Sequence, residues 1–154
     1  MKKINYLAII PARKDSKRIK NKNLVKINKK ELIKFTIEAA KKTKKINKVI
    51  ITSDDKKILK IAKKLKADVV KRPKKLSGDS SATELAIFQA LNYFYKDNLN
   101  LVKNIILLQP TSPLRNAKNI TECINLFERK KYDSIFSAFK KKEFIWKINK
   151  NNIQ

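Results

Sequence analysis

The residues best suited to chemistry lie in two short stretches. The first runs Ala12-Arg13-Lys14-Asp15-Ser16-Lys17-Arg18 and continues through Lys20-Asn21-Lys22-Asn23, directly after an apolar run closed by Pro11. Lysine offers a compact positive charge and arginine a planar donor fork, while Ser16 and backbone amides add directional hydrogen bonds. Together these suit the oxygens of a triphosphate. The same composition also describes a solvated basic loop in a lysine-rich chain. Neither a P-loop nor a dinucleotide fingerprint is present, because the single glycine, Gly78, is far from this loop. The second stretch, Gln109-Pro110-Thr111-Ser112-Pro113-Leu114-Arg115, follows another apolar run. Two prolines stiffen it, and its polar side chains either face a ligand or cap the helix that follows. With no histidine and one cysteine, Cys123, the chain excludes imidazole acid–base devices and thiolate or imidazole zinc clusters. Asp54 and Asp55 read first as helix caps and second as metal neighbours.

Hydrophobic periodicity supplies the elements that must position these stretches. Residues 6–10 read as a buried strand ended by proline, which lacks a backbone donor. Leu32, Ile33, Thr36, Ile37 and Ala40 recur at helical spacing over 31–43, after a polar turn at 28–30. Residues 49–52 form a second strand, and Ser53-Asp54-Asp55 caps a helix striped by Ile58, Ile61, Ala62 and Leu65. Residues 67–70 form a third strand. Ser81 and Glu84 have capping-box spacing ahead of a helix whose face is Leu85, Phe88, Leu91 and Tyr95. A fourth strand spans 104–109, Ile120, Cys123, Ile124 and Phe127 mark a fourth helix, and 133–139 reads as a fifth strand. This alternation predicts an α/β sandwich with a largely parallel sheet covered on both faces. Ligands of such folds bind beyond the carboxyl ends of the strands, which directs attention to the loops after Ile10, Thr52 and Leu108. Phe144, Ile145 and Trp146 are expected to begin an edge strand or an interface arm.

The chain has 154 residues and a net charge of +26, from 39 Lys plus Arg against 13 Asp plus Glu. One domain of this size buries roughly 70% of its extended-chain surface, enough for a layered core without disulfides. Lysine, asparagine and isoleucine are enriched together, and their adenine- and thymine-rich codons account for much of the basicity. The resulting field attracts phosphates of any kind without identifying one. Arginines are few and most aromatics sit at core positions, so a dedicated nucleic-acid surface is not indicated. No segment approaches the ~20 apolar residues of a membrane helix. The Met-Lys-Lys start leads into a structured pattern rather than a signal peptide, so a cytoplasmic location is expected.

The pattern Pro11-Ala12-Arg13-x-x-Ser16-Lys17-Arg18-Ile19-x-x-Lys22-Asn23 resembles the amino-terminal signature of the CMP-N-acetylneuraminate synthetases, the cytidylyltransferases of nonulosonic acids. Further blocks agree in order: Thr52-Ser53-Asp54 with Ile58, Lys71-Arg72-Pro73, Leu76-x-x-Asp79, Leu107 through Arg115, and Asp133-Ser134-Ile135-Phe136-Ser137. The resemblance implies a three-layer α/β/α sandwich with a mostly parallel sheet, of the Rossmann-like nucleotide-diphospho-sugar transferase type. The implied reaction is transfer of CMP from CTP to a nine-carbon sialic-type sugar acid with release of pyrophosphate, a step of lipopolysaccharide or glycan biosynthesis. By the same resemblance Arg13 and Lys22 are catalytic and contact the triphosphate, and Ala12, Ser16, Asn23, Arg72 and Ala82 complete the nucleotide site. Gln109, Thr111 and Ser112 are assigned to the sugar. A homodimer and Mg2+ are implied too, with the metal carboxylates expected beyond residue 154. The chain, 1–154, is accordingly read as the amino-terminal two-thirds of one cytidylyltransferase domain, with three explanations open: a truncated gene or fragment, one part of a split protein, or a domain that binds nucleotide without turning it over. Two other readings stand beside it: a basic module for nucleic acid or an acidic partner, and a cytidylyltransferase for 3-deoxy-octulosonate. The chain departs from the pattern at Lys14 and Asp15 and at Lys29-Lys30-Glu31-Leu32, where members commonly carry glycine. Weaker nucleotide affinity or a different loop path is the expected consequence.

Overall fold

A computed structural model describes residues 3–14, 16, 19–73, 76–78, 82–96, 98–138, 140, 148–149 and 152–153. Four runs rich in aliphatic residues become strands of one parallel sheet: β1 (Ile4–Pro11), β4 (Lys48–Ser53), β5 (Asp68–Lys71) and β6 (Val102–Leu107). Two-residue strands β2 (Lys26–Ile27) and β3 (Lys30–Glu31) pair as a hairpin, and β7 (Ile148–Asn149) pairs antiparallel with β8 (Asn152–Ile153). The sheet order is β5-β4-β1-β6, so the winding reverses between β1 and β6. Register fixes the functional end: Pro11 lies beside Thr52, and Ile9 beside Leu107. The loops that leave β1, β4 and β6 therefore emerge from the same edge, where a topological switch opens a crevice.

Because side chains alternate along a strand, β1 feeds two cores. Tyr6, Ala8 and Ile10 pack with α1 (Leu32–Lys42), α2 (Lys56–Lys64) and α4 (Ala117–Lys130), whereas Leu7 and Ile9 pack beneath α3 (Thr83–Tyr95). Helices thus cover both faces as expected. Asp55 caps α2 by accepting from the Lys57 N–H, and Asn116 with Asn119 forms a reciprocal capping box on α4.

Three expectations need correction or lie outside the described residues. Residues 133–138 form no strand, and Phe136 is almost fully exposed; no described strand lies beyond β6 to pair with them. The α3 face divides, with Leu91 and Tyr95 buried while Leu85 and Phe88 are 51% and 60% exposed. This helix lies over β1 and β4 and leaves its outer flank uncovered. Its N-cap is Ala82, which makes no side-chain cap bond, and Ser81 lies outside the described residues, as do Phe144, Ile145 and Trp146. Ile105 and Leu107 of the edge strand are also partly exposed on the α3 side, given their register with Leu7 and Ile9.

Scarcity of glycine has a conformational cost. Asn28 and Lys29, the two residues between β2 and β3, both hold left-handed angles, φ 47° and φ 64°. A two-residue hairpin turn of this kind favours Asn-Gly, and a non-glycine residue there loses roughly 1 kcal/mol. Lys29→Gly is expected to raise the midpoint of thermal unfolding by about 2–4 °C, the shift that ~1 kcal/mol gives at this size. Calorimetry checks it, and an unchanged or lower midpoint contradicts the assigned turn.

The Tyr6 hydroxyl donates to Glu128 Oε1 at 2.9 Å and ties β1 to α4 at the amino end of the sheet, with Lys45 on the other carboxylate oxygen. Burial, and then this hydrogen bond, push the phenol up to about 12. The folded pKa lies above the unfolded value near 10, so the stabilisation from the neutral phenol is present below pH 10 and lost as pH rises toward 12. Tyr6→Phe should lack this alkaline limb. Denaturant midpoints of the two proteins, measured between pH 9 and 12, are expected to converge as pH rises.

Candidate functional site

Thr52 is the point at which three strand exits meet. Its carbonyl accepts from the Ala12 N–H at 3.0 Å and from Arg72 Nη2 at 3.0 Å, while its hydroxyl accepts from Arg72 Nε at 3.3 Å. The Arg72 backbone N–H donates to Ser53 O, so both ends of this residue are held by β4. Gln89 on α3 completes the cluster, with Nε2 donating to Lys71 O and Oε1 facing the Thr52 hydroxyl at 3.5 Å. Buried, hydrogen-bonded polar groups of this kind specify one arrangement of the loops.

The loop after β1 is tied down at two further points. The Lys14 N–H donates to Asp54 Oδ1 at 2.8 Å, and the buried Asn23 amide donates to Arg13 O at 2.9 Å. Arg13 Nη1 reaches Gly78 O at 3.3 Å, bridging toward the segment before α3. Of the two neighbouring carboxylates, only Asp55 caps α2; Asp54 holds the basic loop. Burial pushes the Arg72 guanidinium below its usual range, Asp54 opposes that shift, and repulsion from Arg13 adds to it. Two guanidiniums and the Asp54 carboxylate thus interact electrostatically where these strands end.

Most of the expected residues come together. Ala12, Arg13, Asn23 and Arg72 share the Thr52–Asp54 framework, with Ser16 and Lys22 half-buried in the same loop. Ala82 opens α3 as an exposed N-cap. Gln109, Thr111 and Ser112 are exposed around the buried Pro110, at the end of the strand adjacent to β1. Leu108, just past β6, donates its N–H to Ile9 O at 3.1 Å and so carries the β1–β6 pairing up to the start of both loops. Asp15, Lys17, Arg18 and Asp79 lie outside the described residues. The loop tie made by Asp54 and the role of Gln89 were not expected; the only sequence signal was a second carboxylate beside a helix start that needs one. A shallow hollow of about 460 Å³, lined in part by Asn5, Lys103, Asn104 and Tyr132, sits at the opposite, amino end of the strands. It contains none of these residues.

Among the described residues no three His, Cys, Asp or Glu side chains gather into a group that could hold a metal ion by themselves. Asp54 is the carboxylate at this strand end, and one of its oxygens accepts from the Lys14 amide. No helix among them is long and apolar enough to cross a membrane.

Comparison with known proteins converges on one family. The family description Cytidylyltransferase matches residues 7–152. An N-acylneuraminate cytidylyltransferase of Escherichia coli is 38% identical over 133 residues, covering 86% of this chain and 30% of that protein. A pseudaminic acid cytidylyltransferase of Campylobacter jejuni is 32% identical over 134 residues, covering 86% of this chain and 57% of that protein. The chain therefore spans 30% and 57% of the length of these two relatives. Among solved structures, CMP:2-keto-3-deoxy-manno-octonic acid synthetase complexed with CTP superposes with a TM-score of 0.66 at 17% identity, over 82% of this chain and 48% of that one. The 4-diphosphocytidyl-2C-methyl-D-erythritol synthase of Anaerococcus prevotii gives 0.66 at 16% identity, over 97% of this chain and 63% of that one. At these identities the structural likeness establishes the fold.

Proposed function

The chain belongs to the cytidylyltransferase family, and from that premise we propose that it carries the CTP-binding part of an enzyme that activates a nonulosonic sugar acid. The observation that carries this reading is the shared exit edge: the basic loop after β1 and the 109–115 loop leave neighbouring strands side by side. Relatives named for N-acylneuraminate, pseudaminic acid and diacetyllegionaminic acid favour a nine-carbon acceptor over an octulosonate.

In the proposed reaction the acceptor hydroxyl forms a bond to the α-phosphorus of CTP, the bond to the bridging oxygen breaks, pyrophosphate leaves and the hydroxyl proton is lost. Arg13 and Lys22 neutralise the phosphates, and Arg72 adds charge behind them. Gln109, Thr111 and Ser112 orient the sugar. Positioning and charge neutralisation are the main demands of phosphoryl-type transfer. No step is assigned to a metal held by the described residues. The reading places the chain in the cytoplasm, where the nucleotide is supplied, and takes the 1–154 span as one domain that shares its site with whatever corresponds to the rest of its relatives.

Equilibrium titration with CTP, UTP, ATP and a DNA duplex at two salt concentrations tests the proposal. Preference for CTP is the expected result. Steeply salt-dependent DNA binding without nucleotide preference would replace it with the polyanion reading. Pyrophosphate release with a panel of nonulosonic acids and 3-deoxy-octulosonate separates the acceptors.

A further inference from the structure

Arg115 is costly where it stands. Its Nε is shut off from solvent with no hydrogen-bond partner among the described residues, and burial pushes the guanidinium below its usual range. A half-buried guanidinium with one donor orphaned in this way carries a desolvation cost that its other contacts must offset. Nη2 donates to Gln109 O at 2.9 Å and to Thr36 Oγ1 at 3.4 Å, and Thr36 is buried on α1. The Arg115 backbone N–H donates to Ser112 O at 3.2 Å. One residue therefore closes the loop twice, side chain onto Gln109 and backbone onto Ser112, and anchors it to a helix of the core.

We infer that Arg115 is the positioning residue for the acceptor side of the site: it fixes the loop that presents Gln109, Thr111 and Ser112, and acts through them. This rests on the sugar assignment of that loop in the proposed function. Its predicted signature is a split between ligands, because the CTP side is held separately by Thr52 and Asp54.

The experiment uses the whole chain and the variants Arg115→Met, Arg115→Lys and Thr36→Val. The last removes the hydroxyl acceptor while keeping the side-chain shape. Amide hydrogen exchange of the free proteins is read first. Exchange at 109–115 is expected to rise at least about tenfold in Arg115→Met, the scale set by a charged hydrogen bond, with β1 and α1 amides unchanged. Thr36→Val should give a smaller rise, and Arg115→Lys, which keeps the charge without the fork, an intermediate one. Binding of N-acetylneuraminate to the CTP-loaded protein should fall by roughly ten- to hundredfold in Arg115→Met, while CTP affinity stays within about twofold. Unchanged loop exchange, acceleration spread over all amides, or equal losses for both ligands would overturn the inference. A native chain that binds CTP but no sugar acid overturns the acceptor assignment. One that binds neither refutes the proposed function, while exchange still decides whether Arg115 holds the loop.

Discussion

Replacing Arg13 and Lys22 together by alanine is expected to weaken CTP binding by at least about a hundredfold, with little change in thermal stability. Each charge-assisted bond to a phosphate oxygen contributes about 1.5–3 kcal/mol, so losing two gives roughly 3–6 kcal/mol, or two to four decades in affinity. Neither side chain belongs to the buried core, and two ties of the loop survive alanine, the Lys14 amide on Asp54 and the Asn23 amide on the Arg13 carbonyl, while the exposed Arg13 bond to Gly78 O is lost. The necessary control concerns the general field. A chain of net charge +26 attracts any triphosphate, so two lysines must also be removed elsewhere. Lys64 and Lys130, exposed at the ends of α2 and α4, serve this purpose. Lys64→Ala with Lys130→Ala should cost only a few-fold, and that loss should vanish at about 0.5 M salt, where screening shortens the range of surface charge. Equal losses in the two double variants would mean that nonspecific attraction alone explains the binding.

Ile10→Ala should produce the opposite pattern, a loss of stability with nucleotide affinity retained in the folded protein. Ile10 is fully buried between β4 and the helices of the α1 face, three residues before Arg13. Truncating such a side chain leaves a cavity in a well-packed core and costs about 2–5 kcal/mol. Total stabilities of domains are only about 5–15 kcal/mol, so a loss of this size removes a substantial part of the reserve. The denaturant midpoint should fall with the slope unchanged, and CTP affinity should be preserved under conditions where the variant remains folded. An unfolding free energy within about 0.5 kcal/mol of the native value would contradict the packing described for β1.

Which parts of this architecture were legible in the sequence follows from the range of the forces involved. Strand and helix identities came from local periodicity, and the four principal strands and four helices stand within a few residues of where that periodicity places them. The helix cap at Asp55 was legible for the same reason, since a cap bond spans two residues. The segment at 133–138 carries strand-like residues without forming a strand, because a strand needs a partner and none is described beyond β6. Leu85 and Phe88 match the helical stripe but are exposed, because periodicity reports an apolar face and not whether anything covers it. The glycine-poor turn at Asn28 and Lys29 shows the converse: the left-handed geometry persists although the residue that favours it is missing.

By itself the sequence determined the alternation of elements, the two loops that carry polar and cationic groups, and family membership. All three rest on neighbours along the chain or on ordered blocks of it. Tertiary structure alone decided that Asp54 ties the basic loop, that Arg72 is buried on Thr52, and that Arg115 holds the loop of Gln109. Those assignments depend on contacts between residues 6 to 79 positions apart. Identical side chains there are solvated, paired or buried according to which strands the parallel register brings together.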